Sequence, residues 1–536
     1  MRSSPQWKRQ VRPSKEAVKV SGQTTKSARN GNGMLRSLQE ERPHPASLRS
    51  ATFPRGESMR SHCAAEVCID QQERDCHTQM NKQVFHWDRA FLRKVLMVAL
   101  PIVVQNLVSA SLHIIDGVMI GQLGDAPYAA VTQANRYTFV FQLFLFGAGS
   151  GCGILFSQYW GNRDVKAMHR VMGLCLRFAL LLAAVFAGMA VFATETVVGL
   201  FLPRGESFQD AVRYLRIVAP GYLFAAVDIA YASCLKSAEK TNIPMMAGVT
   251  SIVLNTLLNY LLIYGKCGLP ALGVEGAALA TVISGGVAML IDVTASYGLK
   301  LPSAARLKDM KLPDRAYLKR FVLLVAPVVA NEGLWSMGMS MYNVFYGRLG
   351  DASVAAVGIA GTVDQLVQVL VYGVMNATAI LVGGHLGAGD RKGAWLTAKR
   401  MMAACLLIGV MMGVVQLTCR DALLGIFNVS QEARSLASTI LLIGSFTIWL
   451  RAFNSVNVVG ILRAGGDTVF SMLLDTSALW LVGVPLVGIA ALVWRLPVWQ
   501  VYIFTITEEA IKAMIGLWRF RSGKWVNVLT ERESNA

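Results

Sequence analysis

Charge is what this 536-residue sequence has least of: 16% of its residues are Asp, Glu, Lys or Arg, against 54% hydrophobic, and its mean hydropathy is +0.45. That balance excludes an ordinary soluble globular protein, which needs far more polar surface. Nine cysteines make no framework. Cys152, Cys175, Cys234 and Cys405 fall within or beside apolar runs, where a free thiol acts as a small apolar residue. His62, Cys63, Cys68, Cys76 and His77 lack the paired Cys-x-x-Cys spacing of a structural zinc site, so no metal is expected. Gly-x-x-x-x-Gly-Lys, His-Glu-x-x-His and Gly-x-Ser-x-Gly are missing too, which leaves a primary ATPase or a membrane hydrolase without support. We expect neither an enzyme nor a cofactor.

What is abundant is long apolar sequence. From about Phe91 onward the chain holds runs of roughly twenty residues, enough to cross ~30 Å of hydrocarbon as helices. Polar residues occupy no continuous face of these runs, so they are not amphipathic surface helices. Breaks at Gly, Pro and charge clusters divide the chain into spans centred near Val104, Phe144, Leu181, Leu223, Leu257 and Met289, then Gly333, Val371, Ile408, Ser445, Leu481 and Thr507.

The two sets of six are copies. "GQLGDAPYAAV" at 121–131 returns as "GRLGDASVAAV" at 347–357, 226 residues later. Pro101 and Pro327, Gly147 and Gly373, and "GNRDVK" from Gly161 and "GAGDRK" from Gly387 keep the same interval. This is an internal duplication. An even number of spans per copy gives both halves one topology, related by an axis along the membrane normal. The expected fold is therefore an all-α membrane protein of twelve transmembrane helices in two six-helix lobes. Residues 90–298 form the N-lobe, 299–319 a connecting loop, 320–521 the C-lobe and 522–536 a tail.

The net charge of +18 invites a nucleic-acid reading, but loop asymmetry absorbs much of it. One side carries Arg89, Arg93, Lys94, Arg163, Lys166, Arg170, Lys236, Lys240, the basic run from Lys300 to Arg320, Arg391, Lys392, Lys399, Arg400, Arg463 and the C-terminal arginines. The other has far fewer, among them Arg204, Arg213, Arg348 and Arg420. Both termini are thus expected in the cytoplasm, with the chain in a bacterial inner membrane. Residues 1–80 hold the remaining basic charge without an apolar period; we expect a disordered tail with no signal peptide, and Met80 as an alternative start.

The order and spacing of "DGVMIGQLGDAPYAAV", "SQYWGNRD", "LKSAEKTNIPMM" and "GVEGAALATVIS", with "LVGGHLGAGD" and "GILRAGGDTVFSMLLD" in the second half, resemble the multidrug and toxin extrusion (MATE) transporters, prokaryotic branch, from about Phe91 to Phe520. The resemblance implies two lobes around a central cavity, alternating access, and export of amphipathic, often cationic small molecules in exchange for Na⁺ or H⁺. It implies membrane lipid around the chain, and we expect a monomer that binds no nucleic acid. Two other readings stay open: a lipid-linked saccharide flippase of similar plan, which would line its cavity with several cations, and a non-transporting receptor or scaffold.

Charged groups inside hydrocarbon are costly, so each needs a reason. Asp116 lies fifteen residues beyond Pro101, toward the far end of span one. It either ends the helix facing solvent or binds the coupling cation; the resemblance favours the second, with Asn255, Asn259 and Thr281 as further contributors. Asn255 and Asn259 share a helix face at i, i+4, and also suit interhelical bonding. In relatives the Asn259 position is usually Asp, so here the second carboxylate is missing. In the second lobe Glu332 and Arg451 lie at one depth by residue count, which predicts a pair between them, with Asp475 level and Asp364 near. The family's acidic residue of the seventh helix lies about one turn beyond Glu332. Asn135 and Arg136 are candidate substrate contacts, and Pro101 a helix hinge.

Overall fold

The computed structural model describes residues 87–530, apart from Pro203, Leu312, Pro313, Ile426 and Asn428. The basic segment, the alternative start and the His/Cys group before residue 80 lie outside them. Helices dominate, and among the described residues there is no strand. In chain order the spans are α1 (Arg89–Gly121), α2 (Asp125–Gly161), α3 (Val165–Phe192), α4 in two pieces (Ser207–Val218 and Gly221–Ser237), α5 (Asn242–Tyr264) and α6 (Val274–Gly298). The second set is α7 (Arg315–Gly347), α8 (Asp351–Gly387), α9 (Arg391–Gly425), α10 (Gln431–Arg463), α11 (Thr468–Val493) and α12 (Val498–Arg521). Ten of these are long and apolar enough to cross a membrane singly, and α4, bent by 46°, makes an eleventh. The twelfth, α12, is less apolar because it carries Glu508, Glu509 and Lys512.

Local chemistry explains the repeated phrase. Gly124 and Gly350 hold φ of 115° and 104° in the turns after α1 and α7, a region that a side chain strains. The Asp that follows each, Asp125 and Asp351, starts the next helix, where its charge meets the positive end of the helix dipole. Elsewhere Asp88, Asp164 and Ser430 cap α1, α3 and α10 by accepting from the backbone N–H three residues on. Pro101 and Pro327 sit inside α1 and α7 without ending either. α10 and α11 contain π-helical turns at Ser455–Arg463, Ala478–Gly483 and Ile489–Val493, which rotate the side chains beyond them relative to an α-helical count.

The duplication reappears as reciprocal contacts between the lobes. A side chain at Gly147 of α2 would strike the Val329 backbone of α7; one at Gly373 of α8 would strike Val103 of α1. Both pairs are related by the same 226-residue shift. Gly161 abuts the Gly384 carbonyl and Gly387 the Gln158 carbonyl, again by the same shift. These glycines are small because two backbones meet there.

The apolar core is divided accordingly. Two clusters cross between lobes, one joining Val95, Val98 and Ile102 of α1 to α8 and α10, the other joining Phe321, Leu324 and Val325 of α7 to α2 and α3. Two others, around Tyr137, Phe141 and Tyr222 and around Tyr342, Ile359 and Tyr502, are each confined to one lobe. The crossing clusters lie at the end where α1 and α7 begin, here called the connector end. The apolar packing between the lobes therefore lies at that end. The segment after α12 adds to the closure: Leu529 N–H donates to Gln158 Oε1 at 2.8 Å, and Gln158 Nε2 donates to the Asn527 and Ala464 carbonyls, both at 3.2 Å. Trp525, fully buried, stacks on Phe520 and anchors this strap.

Candidate functional site

In the N-lobe the predicted quartet does assemble. Asp116 near the far end of α1 accepts from Asn259 Nδ2 of α5 at 2.6 Å. The same amide donates to Asn255 Oδ1 at 3.0 Å, and Asn255 Nδ2 faces Thr281 Oγ1 and Ser284 Oγ of α6 at 3.5 and 3.4 Å. Tyr214 of α4 donates to Asn135 at 3.2 Å and lies beside Thr281, bringing α2 and α4 to the same place. Asn255 and Asn259 are 2% and 1% exposed. Asn259 Oδ1 is buried without a hydrogen-bond donor, an expensive arrangement unless something positive meets it. A carboxylate, amide carbonyls and hydroxyls are the oxygen donors that a hard monovalent cation takes. Arg136, by contrast, is exposed on α2 and forms no ion pair among the described residues.

The C-lobe corrects the sequence reading. Glu332 does not pair with Arg451. It accepts from Arg463 at 2.7 Å, and Arg451 instead donates to Asp364 of α8 at 2.6 Å and to the Tyr502 hydroxyl at 2.7 Å. Residue counting puts Glu332 level with Arg451, but its partner Arg463 lies twelve residues further along α10, so the expected common depth does not hold, and depth would not in any case fix direction around a helix. Residues twelve apart on an α-helix already point about a third of a turn apart, and the π-turns of α10 change that angle again. Arg463, counted above as a loop charge, is 2% exposed. Lys236, counted the same way, lies inside α4.

Six residues that matter here have no place in the sequence reading: Lys512, Glu508, Glu509, Asn331, Asn454 and Tyr342. Lys512 of α12 reaches Glu508 and Glu509 at 3.0 Å each and Asp475 of α11 at 3.2 Å. Asn331 of α7 donates to Asp475 at 3.0 Å, Asn454 of α10 to Glu509 at 2.6 Å, and Tyr342 to Glu508. Tyr342 stands at the position in the second copy that Asp116 holds in the first. The available signal was Glu-Glu-x-x-Lys in an apolar run, whose i, i+3 and i+4 spacing puts all three on one face. Altogether five carboxylates, Glu332, Asp364, Asp475, Glu508 and Glu509, meet three cations, Arg451, Arg463 and Lys512.

With this geometry in hand, comparison with known proteins is specific. The family model described as MatE matches residues 101–261 and 327–489, one match per copy. The chain is 23% identical over 440 residues to the probable multidrug resistance protein NorM of Thermotoga maritima, covering 81% of this chain and 93% of that protein. It is 25% identical over 401 residues to the multidrug resistance protein PmpM of Pseudomonas aeruginosa, covering 74% and 83%. Among solved structures, MATE in complex with MaL6 matches with a TM-score of 0.74 at 20% identity, over 82% of this chain and 98% of that one. The outward-facing conformation of a multidrug resistance MATE family transporter of the MOP superfamily matches with 0.73 at 19% identity, over 80% and 96%. The fold is thus the twelve-helix, two-lobe fold.

Proposed function

Because the chain belongs to the MatE family of multi-pass membrane transporters, we propose that it exports amphipathic, often cationic small molecules by alternating access, driven by inward movement of Na⁺ or H⁺. The observation that carries this reading is the cluster of half-buried Asp116, buried Asn255 and Asn259, and exposed Thr281, with its one unmatched carboxylate and the undonated Asn259 oxygen. A cation there supplies the charge that Asp116 lacks in a partner. Its binding favours one arrangement of α1, α5 and α6 over another, and a gradient can bias a two-state equilibrium only through such differential affinity. We place the connector end in the cytoplasm, so the described state, closed there, faces outward; Asn135 would meet substrate from α2, and Pro101 would let α1 bend as the lobes rock.

The C-lobe speaks against the flippase reading. A pyrophosphate-linked lipid needs surplus cations, whereas the C-lobe network holds five carboxylates to three cations. The test is efflux of a cationic dye from vesicles carrying the protein, under imposed Na⁺ or pH gradients. Dye movement that follows neither gradient would refute exchange.

A further inference from the structure

A second group of charges in the N-lobe has no part in the cluster above. Asp228 of α4 and Asp292 of α6 stand on two packed helices and interact electrostatically with each other and with Lys236 of α4. Asp292 is 1% exposed, yet its Oδ1 has no hydrogen-bond donor, and Asp228 Oδ1 is buried and undonated as well. Neither carboxylate forms an ion pair within 4 Å, and neither does Lys236, among the described residues. The Tyr231–Tyr297 hydroxyl contact at 3.1 Å, three residues beyond Asp228 and five beyond Asp292, sets the two carboxylates near one level of the adjoining helices, and a buried carboxylate in hydrocarbon surroundings without a partner is costly.

From this we infer that Asp228 and Asp292 form a second binding site in the N-lobe, for one monovalent metal cation of the Na⁺ class. Charge sets the valence: two carboxylates against the Lys236 ammonium leave one negative charge, which a single positive ion neutralises and a divalent ion would overshoot. A proton on one carboxyl would neutralise the same charge, so the test reads Na⁺ binding itself. Carboxylate oxygen is the donor that hard cations take. The site lies nine residues from the connector end of α4 and six from that of α6, whereas Asp116 is five residues from the far end of α1. The N-lobe thus has a carboxylate station toward each face of the membrane, and the inner one is where a cation passing through this lobe would pause. This last point rests on the proposed coupling through Asp116; the site itself does not.

The test is equilibrium binding of ²²Na⁺ to the purified full-length chain carrying Asp116→Asn, so that the outer cluster cannot contribute. We expect one saturable Na⁺ per chain more than in the Asp116→Asn/Asp292→Asn or Asp116→Asn/Asp228→Asn chains. Should the Asp292 variant fold poorly, Lys236→Gln gives the opposite sign: removing a like charge should tighten Na⁺ on the order of tenfold. Unchanged binding in Asp228→Asn together with unchanged affinity in Lys236→Gln would overturn the site, as would the absence of any saturable Na⁺ in the Asp116→Asn chain. Because every arm lacks Asp116, a failure here leaves the coupling reading standing, and a failure of that reading leaves this result interpretable.

Discussion

Asn259 donates to Asp116 at 2.6 Å while its own carbonyl oxygen stays buried and undonated. One side chain thereby fixes the carboxylate and offers an acceptor beside it. Replacing Asn259 by Leu removes both functions, and we expect cation-driven efflux to fall by about a hundredfold, on the scale of losing a buried, charge-assisted hydrogen bond and one ion ligand. Asn259→Asp should keep transport, since it restores an oxygen donor and adds charge. Initial efflux rates in vesicles at equal protein levels check both.

The Glu332–Arg463 contact is a buried ion pair, so halving it should hurt more than deleting it. Glu332→Gln leaves Arg463 charged and unpartnered, a loss of about 3–5 kcal/mol. Glu332→Gln/Arg463→Met should recover most of that loss. Thermal melting of the purified variants measures it, and equal losses in the single and double variants would mean that the pair is not what stabilises this junction.

Much of this was legible in the sequence and some was not, for physical reasons. The duplication could be read because "LGD" is demanded twice by one turn geometry, a glycine at positive φ followed by an acid at a helix start. Of the Asp116 cluster, i, i+4 spacing fixes only the common face of Asn255 and Asn259; that Asp116 and Thr281 join them was implied by the family resemblance. The C-lobe pairing could not, since residue counting sets Glu332 against Arg451 whereas the folded chain sets it against Arg463, twelve residues further along α10, and the π-turns between the two arginines leave no simple trace in composition. Lys512 could have been read from its i, i+4 and i, i+3 spacing to Glu508 and Glu509, but its third acid, Asp475, lies on another helix, which spacing does not reach.

The lobes meet closely at Ser157 of α2 and Gly383 of α8, positions equivalent under the duplication. Ser157→Cys/Gly383→Cys should therefore crosslink under oxidation and hold the connector end shut. We expect oxidation to stop efflux and a reductant to restore it. Undiminished transport by the crosslinked protein would contradict rocking of the lobes about this contact.

The strap should stabilise the same closed end. Ending the chain before Lys524 removes the Leu529 and Asn527 bonds to Gln158 and the buried Trp525, a change expected to cost about 3–5 kcal/mol from the Trp alone. It should also raise the reactivity of a cysteine placed at Gly384 toward a membrane-impermeant thiol reagent. Reactivity equal to that of the full-length chain would show that the strap does not bear on closure.

The central claim is that a cation at Asp116 drives export, and the most direct measurement is dye efflux from proteoliposomes with an imposed inward Na⁺ or H⁺ gradient, comparing the full-length chain with Asp116→Asn. The amide keeps the shape of the carboxylate but neither carries charge nor exchanges a proton. The account predicts that Asp116→Asn binds the dye nearly as well and shows no gradient-driven efflux. Gradient-driven efflux by Asp116→Asn at the unsubstituted rate would contradict it.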